Sequence, residues 1–330
     1  MDLLAFSLIS FAISWGVVAQ IRRRFGQLLL DIPNDRSSHT QPTPRGGGLG
    51  FVIAFAVTGA IAPWVISQLW QQPPIEASGL RLGAIALSLG ALALTGLLDD
   101  RYNLPAKSRY GVQLGAAMVV VLSLESFAFL EGWELGLAIA LSVVAMTALI
   151  NFYNFMDGLD GLVASVCAFQ LGFFAWYLNQ PLWWLMVAAL LGFLYWNWSP
   201  AKIFMGDVGS TVLGACVAIA LLAGTESPER LILAATVTFP LLGDAVFTLL
   251  RRLVRGENIF QAHRTHLYQR LQQSGWSHRQ VATTYLLATA CTAIAVAVLG
   301  TAGAALNTVG TLLVLAIGEG YLKRSAAISR

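Results

Sequence analysis

The chain alternates between long runs of apolar residues and short polar segments. A helix that crosses the hydrocarbon core of a bilayer needs about 20 mostly apolar residues. Eleven runs meet or approach that length, of which the sixth to the eighth are short. They predict membrane-spanning helices over residues 1–21, 47–70, 81–98, 111–130, 134–152, 160–178, 181–197, 209–224, 231–250, 281–300 and 304–322. The pattern therefore predicts an all-α polytopic membrane protein with 10–11 spans, folded as one membrane-embedded domain over residues 1–330.

Composition excludes a soluble fold. Apolar residues make up 57% of the chain and charged residues only 11%, whereas soluble domains carry about 25% charged residues. Residues 1–21 share the length of a signal peptide, but they contain no Lys or Arg and the basic run Arg22–Arg24 follows them, so a first spanning helix is the better interpretation. The three cysteines lie far apart in apolar runs and offer no disulfide or zinc spacing.

The distribution of charge predicts which side of the membrane each loop faces. With alternate loops on alternate sides, one side receives eighteen of the twenty Lys and Arg residues, and only Arg81 and Arg230 fall opposite. By the positive-inside rule this side is cytoplasmic. The N-terminus is then periplasmic, the C-terminus is cytoplasmic, and the cytoplasmic loops are about 22–46, 99–110, 153–159, 198–208 and 251–280.

Aspartates are crowded on the same side. A carboxylate beside hydrocarbon costs ~2.5–3.5 kcal/mol, so such residues are usually kept for a function. Eight of the nine aspartates fall there, together with all four histidines: Asp31, Asp35, Asp99, Asp100, Asp157, Asp160, Asp207 and Asp244. Gathered carboxylates suggest a divalent cation, and a cation suggests phosphate. The sequence therefore predicts that any chemistry takes place on the cytoplasmic face.

The first cytoplasmic loop ends in Arg45 and a glycine triplet, Gly46–Gly48, at the start of the second span. Glycines before a helix let backbone N–H groups approach a phosphate, and Arg45 would add a positive charge. The alternative is a turn followed by close helix packing, because small residues are common where membrane helices meet.

The second loop begins with Asp99 and Asp100 at the end of a span. Adjacent carboxylates repel each other, and the dipole at a helix C-terminus disfavours both. A metal ion would remove the conflict, and so would the nearby Arg101, Lys107 and Arg109. A solvated ion-pair cluster is therefore the alternative to a catalytic metal site.

Two further segments carry carboxylates between glycines. In the first, polar residues recur at every third position, and its glycines permit a broken helix that lines a polar cavity for a sugar nucleotide or a hydrated cation: Asn151, Asn154, Asp157 and Asp160. An Asp-Gly turn between spans is the alternative for Asp160. In the second segment, Asp207 either caps the following helix or faces a ligand.

The last loop contains His263, Arg264, His266 and Arg270. These side chains suit a diphosphate, or they form the basic face of an interfacial amphipathic helix. Asp244, near the inner end of the ninth span, is a functional candidate by default or a partner of Arg251 or Arg252 further along the helix.

Three of these motifs, in this order and with this topology, resemble the polyprenyl-phosphate N-acetylhexosamine-1-phosphate transferases of glycosyltransferase family 4. They are the Asp-Asp pair at 99–100, the Asn-x-x-Asp-Gly-x-Asp-Gly-Leu run at 154–162 and the Phe-Met-Gly-Asp-x-Gly-Ser segment at 204–210. The first loop is similar to that of the O-antigen and lipopolysaccharide-initiating subgroup. The His263–His266 segment departs from the histidine-rich segment of the phospho-N-acetylmuramoyl-pentapeptide translocase subgroup.

The resemblance implies transfer of a sugar 1-phosphate from a UDP-N-acetylhexosamine to undecaprenyl phosphate with release of UMP (EC 2.7.8.-). It implies Mg2+ as cofactor, with Mn2+ as an alternative, and a place in the bacterial inner membrane at the first membrane step of O-antigen or other cell-surface polysaccharide synthesis. A homodimer is usual in this family, and no nucleic acid partner is expected.

The resemblance also assigns roles to residues. Asp99 and Asp100 are the expected catalytic pair, and Asp207 with Asp100 the expected metal ligands. The substrate-binding set is expected to be Asn154, Asp157, Asp160, His263, Arg264, His266, Arg45 and Lys107. A lipid phosphate is mostly a dianion at neutral pH, so Asp99 is expected to orient it or remove a residual proton rather than act as a covalent nucleophile. A secondary transporter and a non-catalytic scaffold for glycan assembly are the alternative functions.

Overall fold

The protein consists almost entirely of helices. The computed structural model describes residues 2–26, 30–33, 38–39, 41–70, 79–124, 130–223, 227–258, 261 and 263–328. The helices are α1 Asp2–Arg24, α2 Gly48–Trp70, α3 Gly79–Tyr102, α4 Ala106–Leu124, α5 Gly132–Met156, α6 Leu162–Tyr177, α7 Trp183–Asn197, α8 Asp207–Ala223, α9 Pro228–Ala235, α10 Phe239–Val254, α11 Leu267–Gln273, α12 His278–Leu299 and α13 Thr301–Ile328. Among the described residues the only sheet is a pair of two-residue antiparallel strands, β1 Leu30–Asp31 and β2 Thr43–Pro44.

Each predicted span is helical over most of its described residues, which confirms the all-α polytopic class. Seven helical segments among the described residues are long and apolar enough to cross a bilayer: α1, α2, α3, α5, α9–α10, α12 and α13. The apolar helices α6, α7 and α8 are shorter, with 15–17 residues each. The number of crossings and their orientation stay predictions.

Several predicted boundaries are wrong because helices continue into the expected loops. Helix α3 includes Asp99 and Asp100, and α4 begins four residues after α3 ends, so the loop expected at 99–110 is only three residues long. Helix α5 likewise continues through Asn154 to Met156, and α10 runs on to Val254. In the sequence, a polar residue in the last turn of a helix resembles a loop residue, and this accounts for the differences.

The ninth predicted span is interrupted. A 3₁₀ turn, Thr236–Thr238, separates α9 from α10. Pro240 follows this turn, and a proline removes one helical hydrogen bond and crowds the carbonyl four residues earlier. The hydroxyls of Thr236 and Thr238 donate to the carbonyls of Leu233 and Ala235, at 2.7 Å in each case.

Helix α8 lies at the centre of the molecule. All its residues from Val208 to Leu221 are buried, as expected of a helix that is apolar on every side. It packs against α2, α3 and α5. Gly96 of α3 lets α8 begin close by, because a Cβ at Gly96 would come within 2.5 Å of the backbone of Asp207 and Val208. This contact places the start of α8 beside the carboxylates at the end of α3.

Candidate active site

A cavity of about 290 Å³ opens at the end of the bundle where α3, α5 and α7 finish and α8 begins. Segments that are distant in sequence form its wall, and they bring together the carboxylates of Asp100, Asp157, Asp160 and Asp207 with Arg45. Five of the predicted site residues therefore line one cavity.

The carboxylates at the end of α3 are compensated by donors. Asp99 is 8% exposed. Its Oδ1 accepts the Leu104 backbone N–H at 2.7 Å, and its Oδ2 pairs with Nη1 of Arg109 at 2.5 Å. The positive charge of Arg109 thus offsets the unfavourable effect of the helix dipole on this carboxylate. Lys107 is exposed and lies outside the lining of the cavity.

Asp100 caps the neighbouring helix. Its Oδ1 accepts the N–H of Asp207 at 3.0 Å, and its Oδ2 accepts the N–H of Val208 at 3.3 Å. A carboxylate at a helix N-terminus is stabilised by the unpaired N–H groups there. Gly206, with a φ of +76°, lets the chain pass against this carboxylate, where a Cβ would collide. Capping of α8 by Asp207 itself, the alternative to a ligand-facing role, is not observed, because Asp100 caps this helix.

The carboxylate of Asp207 is therefore not needed as a helix cap, and Asp207 lines the cavity. Its Oδ2 lies 3.3 Å from Nη1 of Arg109, the same atom that contacts Asp99. One guanidinium nitrogen thus stands between two carboxylates that are 108 residues apart in sequence.

The residues fit a metal ion that is only partly coordinated by protein. Among the described residues, no group of three or more His, Cys, Asp and Glu side chains is arranged to hold a metal. Asp99 and Asp207 nevertheless converge on a single positive charge. Magnesium commonly uses one or two carboxylates and fills its other positions with substrate phosphates and water. The arrangement suits that mode of binding and not a cage built by the protein alone.

The turn between α5 and α6 carries Asp157 and Asp160 into the cavity wall. Loss of solvation, strengthened by the charges of Asp207 and Asp100, raises the pKa of Asp157 to about 8. Burial would also raise the pKa of Asp160, but hydrogen bonding and the charge of His278, with the Ala201 N–H, outweigh burial and hold that pKa below its usual value. The pKa values of two carboxylates in one turn are thus shifted in opposite directions.

Two residues that the sequence analysis did not single out hold this turn. His278 places Nδ1 3.1 Å from Oδ1 of Asp160, and its Nε2 lies 3.1 Å from the Ser38 carbonyl. Asn197 accepts the Gly161 N–H at 3.0 Å and donates to the Ile203 carbonyl at 3.0 Å. His278 follows Ser277, which caps α12, so in sequence it is an ordinary helix start. A polar residue at the end of the apolar α7 run was the available signal for Asn197.

Arg45 is held by Asp31. The pairing of β1 with β2 brings the two residues together, and Oδ2 of Asp31 lies 2.7 Å from Nη2 of Arg45. Asp31, to which the sequence assigned no role, therefore orients a cation at the cavity. Asp35 lies outside the described residues.

The glycine triplet serves packing. The N–H groups of Gly47 and Gly48 donate to the carbonyls of Phe204 and Met205, each at 2.9 Å. A Cβ at Gly48 would lie 2.5 Å from Cα of Gly209. These two N–H groups are therefore engaged by protein, and close packing, the alternative to a phosphate-binding loop, is the arrangement observed.

The cavity lining does not include the four remaining predicted substrate-binding residues: Asn154, His263, Arg264 and His266. Asn154 donates to Oγ of Ser210 at 3.0 Å and so joins α5 to α8. His266 is only 2% exposed, and its ring lies against those of His263 and Tyr268. The expectation that His263 and His266 bind substrate directly receives no support from this placement. Arg264 donates from Nη2 to Oγ of Ser38 at 3.2 Å and so approaches the cavity from outside.

Asp244 does not pair with either arginine on its helix. Arg251 binds Glu319 and the Thr265 carbonyl, and Arg252 binds Glu257 and the carbonyls of Asn258 and Gln261. The donors to Asp244 lie instead on other elements, so the suggested ion pair is wrong.

Comparison with known proteins identifies relatives along most of the chain. The model of the family described as "Glycosyl transferase family 4" matches residues 82–225, a range that contains four aspartates of the cavity: Asp100, Asp157, Asp160 and Asp207. A protein of Bacillus subtilis (strain 168) named "Probable undecaprenyl-phosphate N-acetylglucosaminyl 1-phosphate transferase" is 33% identical over 300 residues, which cover 85% of this chain and 80% of the relative.

Two further relatives carry related names. A "Decaprenyl-phosphate N-acetylglucosaminephosphotransferase" of Mycolicibacterium smegmatis is 31% identical over 82% of this chain and 74% of its own length. An "Undecaprenyl-phosphate alpha-N-acetylglucosaminyl 1-phosphate transferase" of Escherichia coli (strain K12) is 30% identical over 79% of this chain and 74% of its own length. Together with the family match across the cavity, this similarity shows that the chain belongs to glycosyl transferase family 4.

Proposed function

We propose that this protein transfers N-acetylglucosamine 1-phosphate from UDP-N-acetylglucosamine to undecaprenyl phosphate and releases UMP. The observation that carries the proposal is the convergence of Asp99 and Asp207 on Arg109, next to the turn that holds Asp157 and Asp160. A site of this kind suits two phosphorylated substrates. The relatives' names supply both the polyprenyl phosphate and the N-acetylglucosamine.

The reaction exchanges one phosphoanhydride for another. An oxygen of the lipid phosphate forms a bond to the sugar-bearing phosphorus of the donor, and the bond from that phosphorus to the bridging oxygen breaks, so that UMP leaves. The two anionic substrates repel each other, and neutralisation of charge and in-line positioning therefore dominate catalysis.

Each charged group of the site has a part in this scheme. Both oxygens of Asp99 already accept from Arg109 and Leu104, which favours an orienting role over a covalent one. Asp207, with an oxygen of the Asp99–Asp100 pair, would hold Mg2+, and the ion would neutralise the diphosphate. Arg45 faces the cavity beside them, where a guanidinium suits a phosphate, and Asp157 and Asp160 would bind the nucleotide sugar.

The proposal places the protein in a bacterial inner membrane with its cavity on the cytoplasmic side, where UDP-sugars are available. The excess of Lys and Arg on the predicted cytoplasmic side supports this orientation. A homodimer and a role at the first membrane step of a cell-surface polysaccharide belong to the same proposal. A secondary transporter is disfavoured, since transporter sites lie near the bilayer midplane and these carboxylates lie at helix ends.

Release of UMP by purified protein in detergent tests the proposal. With undecaprenyl phosphate and Mg2+, we expect release from UDP-N-acetylglucosamine in preference to other UDP-N-acetyl sugars, and loss of release with a chelator. Asp207→Ala should lower the rate by at least about 100-fold, in the range found for lost charge stabilisation. Glu134→Gln, an exposed site far from the cavity, is the matched control. Full activity of Asp207→Ala, or activity without lipid phosphate, would contradict the proposal.

A further inference from the structure

Asp244 is a buried residue of α10 that has no part in the proposed transfer reaction. It is 0% exposed, and four donors satisfy it. Its Oδ1 accepts the Leu267 N–H at 2.7 Å and the Thr248 hydroxyl at 3.1 Å. Its Oδ2 accepts the Tyr268 N–H at 3.0 Å and the Tyr285 hydroxyl at 2.7 Å.

These donors come from three helices. Thr248 lies on α10 with Asp244, Leu267 and Tyr268 begin α11, and Tyr285 lies on α12. A buried carboxylate is costly unless hydrogen bonds compensate it, and hydrogen bonds to a charged group are stronger than those between neutral groups. The carboxylate therefore holds the start of α11 against α10 and α12. The ring of His266 also faces it, with Nδ1 3.8 Å from Oδ1.

Helix α11 in turn supports the cavity wall. The Tyr268 hydroxyl donates to the Phe155 carbonyl at 3.0 Å. The same side chain packs so closely on Gly158 that a Cβ there would collide with it. The next residue, Gln269, lines the cavity together with Asp157 and Gly158. A shift of α11 would therefore move both Gln269 and the turn that carries Asp157.

We propose that Asp244 is a positioning residue, which holds α11 against the 155–158 segment and so sets the wall on which the nucleotide donor binds. Its effect on the donor rests on the proposed function, which places the donor at Asp157 and Asp160. Its effect on α11 does not.

Two variants weaken this anchor at different strengths. Asp244→Asn keeps the shape of the side chain but removes its charge and one acceptor. Tyr285→Phe removes a single donor at a residue outside the cavity lining. Tyr153→Phe is the matched control, because its buried hydroxyl donates to Gln170 at 2.6 Å and is not one of the donors to Asp244.

Hydrogen exchange of the full-length protein in detergent reads the anchor directly. We expect faster deuterium uptake in the peptide that covers residues 266–273 for Asp244→Asn and Tyr285→Phe, and unchanged uptake there for Tyr153→Phe. Unchanged uptake in Tyr285→Phe would overturn the proposal, including in the case that Asp244→Asn does not fold.

The KM and kcat of the two variants measure the consequence for catalysis. The KM for UDP-N-acetylglucosamine should rise about tenfold in Asp244→Asn and about threefold in Tyr285→Phe, with the KM for undecaprenyl phosphate and kcat within about twofold of wild type. An equal rise of both KM values, or a fall in kcat alone, would overturn the positioning role. If wild-type protein releases no UMP, the proposed function fails, and hydrogen exchange still decides whether Asp244 anchors α11.

Discussion

At the scale of single residues, the site is arranged through partners that neutralise or orient each charge. Arg109 stands between Asp99 and Asp207, Asp31 holds Arg45, and His278 holds Asp160. Most of the residues that carry charge into the cavity are predictable from the sequence, because carboxylates beside apolar runs are conspicuous. His278 and Asn197 are not, since their contacts join segments that are far apart in sequence.

The pair of Asp160 with His278 predicts a dependence of stability on pH. The folded pKa of Asp160 is lowered, below an unfolded value of about 3.9. The ionised carboxylate therefore stabilises the fold at pH above that value, and this contribution is lost as the pH falls through the folded pKa. Asp160→Asn should unfold at a lower temperature than wild type at pH 6, by about 2–5 °C, and the difference should narrow by pH 3.

Thermal unfolding of both proteins in the same detergent between pH 6 and pH 3 measures this difference. Glu134→Gln removes an exposed carboxylate and should match wild type at both values. A difference for Asp160→Asn that stays constant over this range would show that the charge of Asp160 does not stabilise the fold.

At the scale of elements, the apolar pattern predicted which segments are helices better than where those helices end. A polar residue in the last turn of a helix has the same sequence signature as a loop residue, and for that reason Asp99, Asp100 and Asn154 were assigned to loops or to their edges. The cap of α8 by Asp100 cannot be predicted from the sequence, because it joins positions more than 100 residues apart. The glycines of the first loop were ambiguous for the same reason, since their packing partners lie on α8 and before it.

The close approach of α3 to α8 predicts that Gly96 is required for catalysis. A Cβ at Gly96 would fall 2.5 Å from the carbonyl of Asp207, and the obstructing atoms are backbone. The helices would have to separate, which costs about 1–3 kcal/mol for an overpacked contact and moves Asp207 away from Arg109. Gly96→Ala should therefore lower both the thermal midpoint and the rate of UMP release.

Gly90→Ala is the control for this substitution. It lies on the same helix, and nothing is found within 4 Å of its Cβ position, so the added methyl group should leave stability equal or slightly improved. Wild-type rates for Gly96→Ala would mean that the spacing of α3 and α8 does not determine the position of Asp207.

At the scale of the whole molecule, the cavity draws its wall from five regions of the chain, and all of them meet at one end of the bundle. The first loop contributes Arg45 and the last segment contributes Gln269 and His278. Ser38 joins these two regions, because its carbonyl faces His278 and its hydroxyl accepts from Arg264. No local sequence pattern predicts that these regions meet. The charges of these segments do predict that they lie on the same side of the membrane.

That common side predicts a definite orientation in the membrane. Helix α5 has 25 residues and is about 37 Å long at 1.5 Å per residue, which exceeds the hydrocarbon thickness of about 30 Å. Glu131 before it and Asp157 after it must therefore lie on opposite faces of the membrane if α5 crosses the bilayer.

Labelling of introduced cysteines measures this orientation. In a Cys291→Ala background, with Cys167 and Cys216 buried, Glu131→Cys should react with a membrane-impermeant maleimide in right-side-out vesicles. Gln41→Cys, exposed in the first loop, should react only in inverted vesicles, and sealed inverted vesicles alone should turn over external UDP-sugar. The opposite labelling pattern would place the cavity outside the cell, where UDP-sugar is absent, and would contradict the orientation and the proposed donor together.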